Sequence, residues 1–166
     1  MPKYGNSSKT KLRTCDPDLQ KLFNFVIEYL DNSILEGHRD EKTQNQYFAQ
    51  GKSKVKFPFS KHNKLPSQAV DSVPYPIDWR FEGALINHIR KYLELKPKSI
   101  LNIVDVEKEI ISIVENIERW FMYIGFVRGV ASHMGIKLRS GADWNSDGYT
   151  SDQKFDDLPH FELMDK

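Results

Sequence analysis

The sequence predicts a single α+β domain that spans residues 1–166. Its 166 residues are enough to bury one substantial core, and its content of 39% apolar and 28% charged residues is typical of a globular protein. Stretches with apolar residues at helical spacing are interspersed with short segments of β character, at residues 33–37, 136–139 and 160–163.

Two helices are predicted in the first third of the chain. Asp16-Pro17 reads as an N-cap followed by a first-turn proline, whose missing N–H costs nothing at that position. Apolar residues follow at helical spacing, at Leu19, Leu22, Phe23, Val26, Ile27 and Leu30. Asp40 can cap a second helix that runs through Phe48 and stops at Gly51. We expect residues 51–60 to form a basic loop or an edge strand.

The pattern is helical again after Trp79. Apolar residues recur every four positions, at Phe81, Leu85, Ile89 and Leu93. Asp105 can cap a longer helix that runs towards His133 and carries Phe121 in its apolar set. The most apolar run, residues 120–127, is far shorter than the roughly 20 residues that span a bilayer. We expect a buried core helix there and no stable membrane insertion.

Charge and cysteine content exclude several classes of function. The net charge of +1 lacks the basic excess that binding along a phosphate backbone needs, so no nucleic-acid partner is expected. Cys15 is the single cysteine, which excludes an intrachain disulfide. The basic residues near the start of the chain are followed by no apolar run, so we expect no Sec-type signal peptide.

Three residues are candidate metal ligands. His62 and Asp71 lie within residues 60–79, on a segment rich in Pro, Ser and Asn that fits neither helical nor strand periodicity. Zinc takes nitrogen and carboxylate ligands, and His160 is a third candidate, preceded by a carboxylate at Asp157. On spacing alone, a surface hydrogen-bonded pair is the more common fate of a His near an Asp.

The predicted closing strand suits His160 to such a role. Along residues 160–163, His160 and Glu162 face one side while Phe161 and Leu163 face the other. His160 can therefore face a cleft while the opposite side packs on the core.

Several blocks of sequence resemble one family. They are SKHN, PS, AVD and PYPIDW within residues 60–79, and DQKF and DLPHFEL within residues 152–163, together with LRTCDPDLQKL, EGHRDEKTQNQYFAQGKSK and GIKLRSGADWNSDG. These blocks resemble the zinc L-alanyl-D-glutamate endopeptidases of phage lysis. That family is related to the D-alanyl-D-alanine carboxypeptidases and shares a fold with the hedgehog signalling domain, which implies a small antiparallel sheet with flanking helices. Residues 83–119 fall outside the resemblance, and we expect a helical insertion there that serves as scaffold, lid or dimer surface.

The resemblance implies roles at the site. His62, Asp71 and His160 would hold Zn²⁺ and leave one position for water. Asp157 would act as general base and then as proton donor to the leaving amine, the alternative being that it orients a ligand. Arg39, with a guanidinium fork that suits a carboxylate or a developing oxyanion, would contact substrate together with Gln44 and Ser60.

The implied substrate is the stem peptide of peptidoglycan, cut between L-Ala and D-Glu. One alternative is a D-Ala-D-Ala carboxypeptidase, and another is a non-catalytic hedgehog-like module stabilised by zinc, which an acid/base group at Asp157 disfavours. We expect a monomer that stays in the host cytoplasm until lysis and then acts on the cell wall.

A second cation site is predicted in the loop that precedes Asp157. Asp143, Asn145 and Asp147 occupy positions 1, 3 and 5 of a calcium-loop motif with Gly148 at position 6, and Asp152 adds a carboxylate. Position 12 is Lys154 instead of the Glu of an EF-hand. The alternative is a polar turn with Asn, Asp and Gly in their usual places.

Overall fold

The computed structural model describes residues 1–80, 103–150, 152 and 156–165. Its elements in chain order are α1 (Asn6–Leu12), α2 (Pro17–Tyr29), β1 (Asn32–Glu36), α3 (Glu41–Ala49), a single 3₁₀ turn (Lys61–Asn63), β2 (Ala69–Pro74), α4 (Ile103–His133), β3 (Leu138–Gly141) and β4 (Asp157–Leu163). The predicted helix with apolar residues at Phe81, Leu85, Ile89 and Leu93 lies outside the described residues.

Four strands form one antiparallel sheet in the order β1-β2-β4-β3. The two central strands, β2 and β4, come from parts of the chain about ninety residues apart, and their register pairs Asp71 with His160. On either side, Glu36 pairs with Asp71, and Arg139 pairs with Glu162. The predicted α+β fold with a small antiparallel sheet is confirmed.

The core of the sheet-bearing part lies between the sheet and α2. The predicted apolar face of α2 is buried as expected, and the ring of Phe23 meets that of Phe161 edge-on at 5.6 Å. Tyr123, at the C-terminal half of α4, packs against Phe161 and hydrogen-bonds Ser72 on β2. Phe161 thus packs on the core while His160, its neighbour in β4, faces the other side.

Two of the three predicted N-caps, Asp16 and Asp40, are confirmed. The Asp16 side chain accepts a hydrogen bond from the backbone N–H of Asp18, and the Asp40 side chain accepts one from Thr43. These bonds satisfy backbone donors that the first turn of a helix leaves unpaired.

Some local predictions are wrong. Asp105 is not a cap, because α4 already includes Ile103, and the Phe121 side chain is 40% exposed. Strand β3 begins at Leu138, two residues later than predicted, whereas residues 51–60 form a loop, one of the two predicted alternatives. The short helix α1 was not predicted, because only Leu12 of its seven residues is buried and no apolar stripe marks it.

The most consequential difference is β2. Asp71 lies on this strand, where the sequence predicts an irregular segment. Five of the six residues of β2 are buried, so both faces of the strand are covered. A strand covered on both faces shows no alternation of apolar and polar residues, which explains why the periodicity missed it.

The chain divides into two compact units. One comprises Met1–Pro76 and Tyr123–Lys166 and contains the whole sheet; the other comprises Ile77–Met122. Within the second unit, the Trp120 indole and the Asn116 amide donate hydrogen bonds to backbone carbonyls of Asp78 and Arg80. The arrangement expected from the sequence, a single domain with an insertion at residues 83–119, stays a prediction.

None of the described helices combines the length and the apolar character that crossing a bilayer requires.

Candidate metal centre

Three elements bring the predicted ligands together. His62 is the middle residue of the 3₁₀ turn, while Asp71 and His160 are cross-strand partners at the centre of the sheet. Their donor atoms lie within 4.8 Å of one another, and among the described residues they are the one group of three His, Cys, Asp or Glu side chains so arranged. Both imidazoles are buried.

The donor atoms form a nearly equilateral triangle. His62 Nε2 lies 3.2 Å from Asp71 Oδ1 and 3.3 Å from His160 Nδ1, and His160 Nδ1 lies 3.1 Å from Asp71 Oδ1. Tetrahedral zinc, with bonds of about 2.0–2.1 Å, would place its ligand atoms about 3.3 Å apart. The three residues therefore fit one face of a zinc tetrahedron. Three protein ligands with a fourth position open is the composition of catalytic zinc sites, since structural sites have four.

His62 is oriented by the backbone. Its Nδ1–H donates to the carbonyl of Gly37 at 2.6 Å, which leaves Nε2 facing the other ligands. A side chain at Gly37 would collide with Thr14 Oγ1 at 2.3 Å and with the carbonyl of Lys11 at 2.4 Å. Glycine is required there because the chain passes directly against the end of α1.

Asp71 is oriented by Arg39. One oxygen of Asp71 belongs to the donor triangle, and the other, Oδ2, lies 3.4 Å from Arg39 Nη2. The buried guanidinium also donates to Glu36 Oε2 at 2.5 Å and to Gln44 Oε1 at 3.1 Å. The structure thus places Arg39 and Gln44 beside the metal centre with these protein partners, and their predicted contact with substrate is not tested.

Ser60 holds the turn that carries His62. Its hydroxyl accepts a hydrogen bond from the backbone N–H of His62 at 3.2 Å, and its own N–H donates to Asn63 Oδ1 at 3.1 Å. Asn63 in turn donates to the backbone carbonyl of Arg39. These bonds make a reciprocal cap, and the predicted contact of Ser60 with substrate stays a prediction.

Asp157 begins β4 and lies opposite Gly141. A Cβ at Gly141 would come within 2.3 Å of the Asp157 carbonyl, so glycine allows this close approach. Burial raises the pKa of Asp157, and the charge of Asp71 raises it further. Asp157 therefore lies near enough to the donor triangle to sense its charges, although it is not part of it.

At Asp71 and His160, the neighbouring charged groups shift the pKa in the direction opposite to the shift caused by burial. Burial alone would raise the pKa of Asp71, but the imidazoles of His62 and His160 outweigh it and hold that pKa well below its usual value. Burial would lower the pKa of His160, but hydrogen bonds to Asp71 and Glu162 outweigh it and raise that pKa to about 10. Bringing a cation to this site therefore means displacing a proton.

The predicted calcium residues have other partners in this structure. The buried carboxylate of Asp143 accepts from Arg128 at 2.8 Å and from the backbone N–H groups of Asp147 and Gly148. Asn145 donates to Asp147 at 3.0 Å and to Asp152 at 3.1 Å. The loop is connected to the metal centre by Trp144, whose ring lies 5.3 Å from that of His160.

A sequence model of the phage L-alanyl-D-glutamate peptidase family matches residues 1–96. The L-alanyl-D-glutamate peptidase of Escherichia phage T5 is 29% identical over 156 residues, covering 91% of this chain and 88% of that protein. The crystal structure of the L-Ala D-Glu endopeptidase ChiX of Serratia marcescens superposes with a TM-score of 0.60 at 21% identity, covering 97% of this chain and 89% of that one.

Fold and site together define an α+β protein with a candidate metal site of three protein ligands, His62, Asp71 and His160. The family match spans more than half of the chain and includes two of the three candidate ligands, His62 and Asp71. The chain belongs to the phage L-alanyl-D-glutamate peptidase family.

Sequence reasoning missed three residues that contact the site. Glu162 and Trp144 both touch His160, and the Gly37 carbonyl holds His62. The two-residue spacing of His160 and Glu162 placed them on one face of a strand and could have suggested the first contact. Nothing in the local sequence marks the other two.

Proposed function

We propose that this protein is a zinc-dependent endopeptidase that hydrolyses the bond between L-alanine and D-glutamate in the stem peptide of peptidoglycan. The observation that carries this proposal is the donor triangle of His62, Asp71 and His160, which has the dimensions of a zinc site with one open position. Family membership supplies the substrate class.

His62 through Nε2, Asp71 through Oδ1 and His160 through Nδ1 would hold the ion. When bound, zinc would supply Lewis acidity that activates water near neutral pH and polarises the amide carbonyl. The protein's own contribution is to fix these three atoms, through the Gly37 carbonyl, Arg39 and Glu162.

Asp157 is the proposed acid/base residue. It would take a proton from the attacking water and pass it to the leaving amine of D-glutamate. Its raised pKa suits both steps, because a carboxyl group transfers protons in both directions most readily when its pKa approaches the working pH. A binding module with structural zinc would have no use for such a group beside the metal.

Arg39, Gln44 and Ser60 are proposed to form the wall on which the substrate lies. Support comes from their position: Arg39 is in contact with a ligand, Gln44 with Arg39, and Ser60 with the His62 backbone. The Arg39 guanidinium is already hydrogen-bonded to protein groups, so it could stabilise a developing oxyanion only after those bonds rearrange. We therefore expect Arg39 to act mainly by orienting Asp71.

We also propose a calcium ion at the 143–152 loop, with Asp143, Asn145, Asp147 and Asp152 as ligands. Support comes from the clustering of the last three, and from the contact of Trp144 with His160, through which order in the loop would reach the zinc site. The predictions of a monomer and of a host-cytoplasmic location before lysis rest on the family resemblance and stay predictions.

The experiment is digestion of purified peptidoglycan, with products identified by mass spectrometry. Zinc-loaded wild type should release fragments with a new D-glutamate amino terminus, while chelator-treated protein and His160→Ala should release none. Zinc added back should restore the first but not the second. Release of free D-alanine would identify a carboxypeptidase instead, and stoichiometric zinc without any cleavage would favour the binding module.

A further inference from the structure

His160 is held at both ring nitrogens. Nδ1 belongs to the donor triangle, and Nε2 lies 3.0 Å from Glu162 Oε2. A carboxylate accepts hydrogen bonds but donates none, so Nε2 carries the hydrogen of this pair. Nδ1 is therefore the nitrogen that gives up its proton to present a lone pair to an ion in the donor triangle.

Glu162 is itself fixed. Its carboxylate is buried, with 6% of the residue exposed, and its two oxygens have different partners. Oε2 accepts from His160, while Oε1 accepts from Arg139 Nε at 3.1 Å and from Arg139 Nη2. Arg139 is the residue directly opposite Glu162 across β3 and β4, so the sheet register aligns the pair.

Trp144 completes this group. Its ring lies 5.3 Å from the His160 ring, and the Arg139 guanidinium lies over it at 5.4 Å. Its backbone carbonyl accepts a further hydrogen bond from Arg139 at 3.4 Å. His160 can therefore neither rotate nor exchange the roles of its nitrogens without disturbing Glu162, Arg139 or Trp144.

The two histidines differ in how they are held. His62 donates to the backbone carbonyl of Gly37 and presents Nε2. His160 donates to a side chain and presents Nδ1. Orientation of His160 thus depends on one carboxylate.

We propose that Glu162, anchored by Arg139, is the positioning residue that sets the metal-binding nitrogen of His160. This inference rests on the proposed zinc site and adds that Glu162 selects Nδ1 of His160 as the metal-binding atom. A carboxylate behind a ligating imidazole fixes its tautomer and raises its basicity, and loss of such a partner typically weakens metal binding about 10–100-fold.

The test measures zinc affinity by competition with a chelator, together with the visible spectrum of the Co²⁺-loaded protein, in Glu162→Gln, Glu162→Ala and Arg139→Gln. We expect zinc to bind most weakly to Glu162→Ala, about 10–100-fold more weakly than to wild type. Glu162→Gln should lie between the two, because its amide oxygen still accepts from Nε2–H without the charge. Arg139→Gln should weaken binding less than Glu162→Ala, and the Co²⁺ spectrum should shift in the same order.

Leu163→Ala is the matched control. Leu163 is the next residue of β4 and faces the opposite side, so this variant perturbs the strand without touching His160. It should lower the unfolding temperature of the metal-free protein and leave zinc affinity unchanged. Should Glu162→Ala fail to fold by circular dichroism, Glu162→Gln decides.

The outcomes separate this inference from the proposed function. Zinc affinities and Co²⁺ spectra equal to those of wild type in Glu162→Gln and Arg139→Gln would overturn the positioning role while leaving the zinc site intact. Wild-type protein that binds no zinc would overturn both. Peptidoglycan cleavage is not needed for either result.

Discussion

Each candidate ligand at this site is oriented by a hydrogen bond to a neighbouring residue. His62, Asp71 and His160 each direct one atom inward, and each has its remaining polar atom fixed by Gly37, Arg39 or Glu162. A site preassembled in this way needs little rearrangement to accept a metal ion. Asp157 differs from the ligands, because it lies near the triangle without belonging to it.

Replacement of Asp157 should therefore separate catalysis from metal binding. Asp157→Asn keeps the shape of the side chain but cannot shuttle a proton. We expect about a 10²–10⁴-fold loss of peptidoglycan hydrolysis with unchanged zinc content and unfolding temperature. Activity assays paired with elemental analysis check this. Wild-type turnover would remove Asp157 from the mechanism, and loss of zinc would make it a positioning residue instead.

Secondary-structure elements contribute through register. Because β2 and β4 pair with Asp71 opposite His160, two ligands are set by backbone hydrogen bonds of the sheet, and only His62 depends on a short turn. The loop between β3 and β4 reaches the site through Trp144, whose ring contacts that of His160. It is followed by Asp157, the first residue of β4. Changes in this loop should therefore affect catalysis.

The proposed calcium site can be tested in the same loop. Calcium should bind wild type in calorimetry and raise the activity of zinc-loaded protein, because Trp144 of this loop contacts the ring of His160. Asp147→Asn is the sharper variant, since Asp147 is exposed whereas Asp143 also pairs with the Arg128 guanidinium. It should abolish the calcium response and leave the calcium-free rate unchanged. Equal rates with millimolar calcium and with a calcium-selective chelator, and no heat of binding, would identify the loop as a polar turn.

For the protein as a whole, the metal site joins segments distant in sequence. His62, Asp71 and His160 come from the 3₁₀ turn and two strands of the sheet-bearing unit, separated by up to 98 residues. An ion that binds these residues only when folded stabilises that unit by mass action.

Zinc removal should therefore lower thermal stability. At a free zinc concentration about 1,000 times the dissociation constant, binding contributes about 4 kcal/mol, and in a protein of this size that raises the unfolding temperature by roughly 10 °C. Calorimetric scans with zinc and with chelator check this, and His62→Ala should show the same temperature in both. Equal unfolding temperatures of wild type with zinc and with chelator would mean that no ion links the segments that carry His62, Asp71 and His160.

The sequence alone was enough for α2 and α3, their caps and the identity of the candidate ligands. Apolar spacing marked α2, and Asp16 and Asp40 marked helix starts, because these signals act within a few residues of one another. His62, Asp71 and His160 were recognisable from short flanking motifs.

The tertiary structure alone decided how those ligands are held. Strand β2 has no alternating pattern because both its faces are covered, so the pairing of Asp71 with His160 could not be read from either segment. The same is true of Arg39 behind Asp71, of Arg139 behind Glu162, and of the Gly37 carbonyl behind His62. Each of these contacts joins residues that are brought together only when the sheet and its flanking turns pack, and no local propensity specifies that packing.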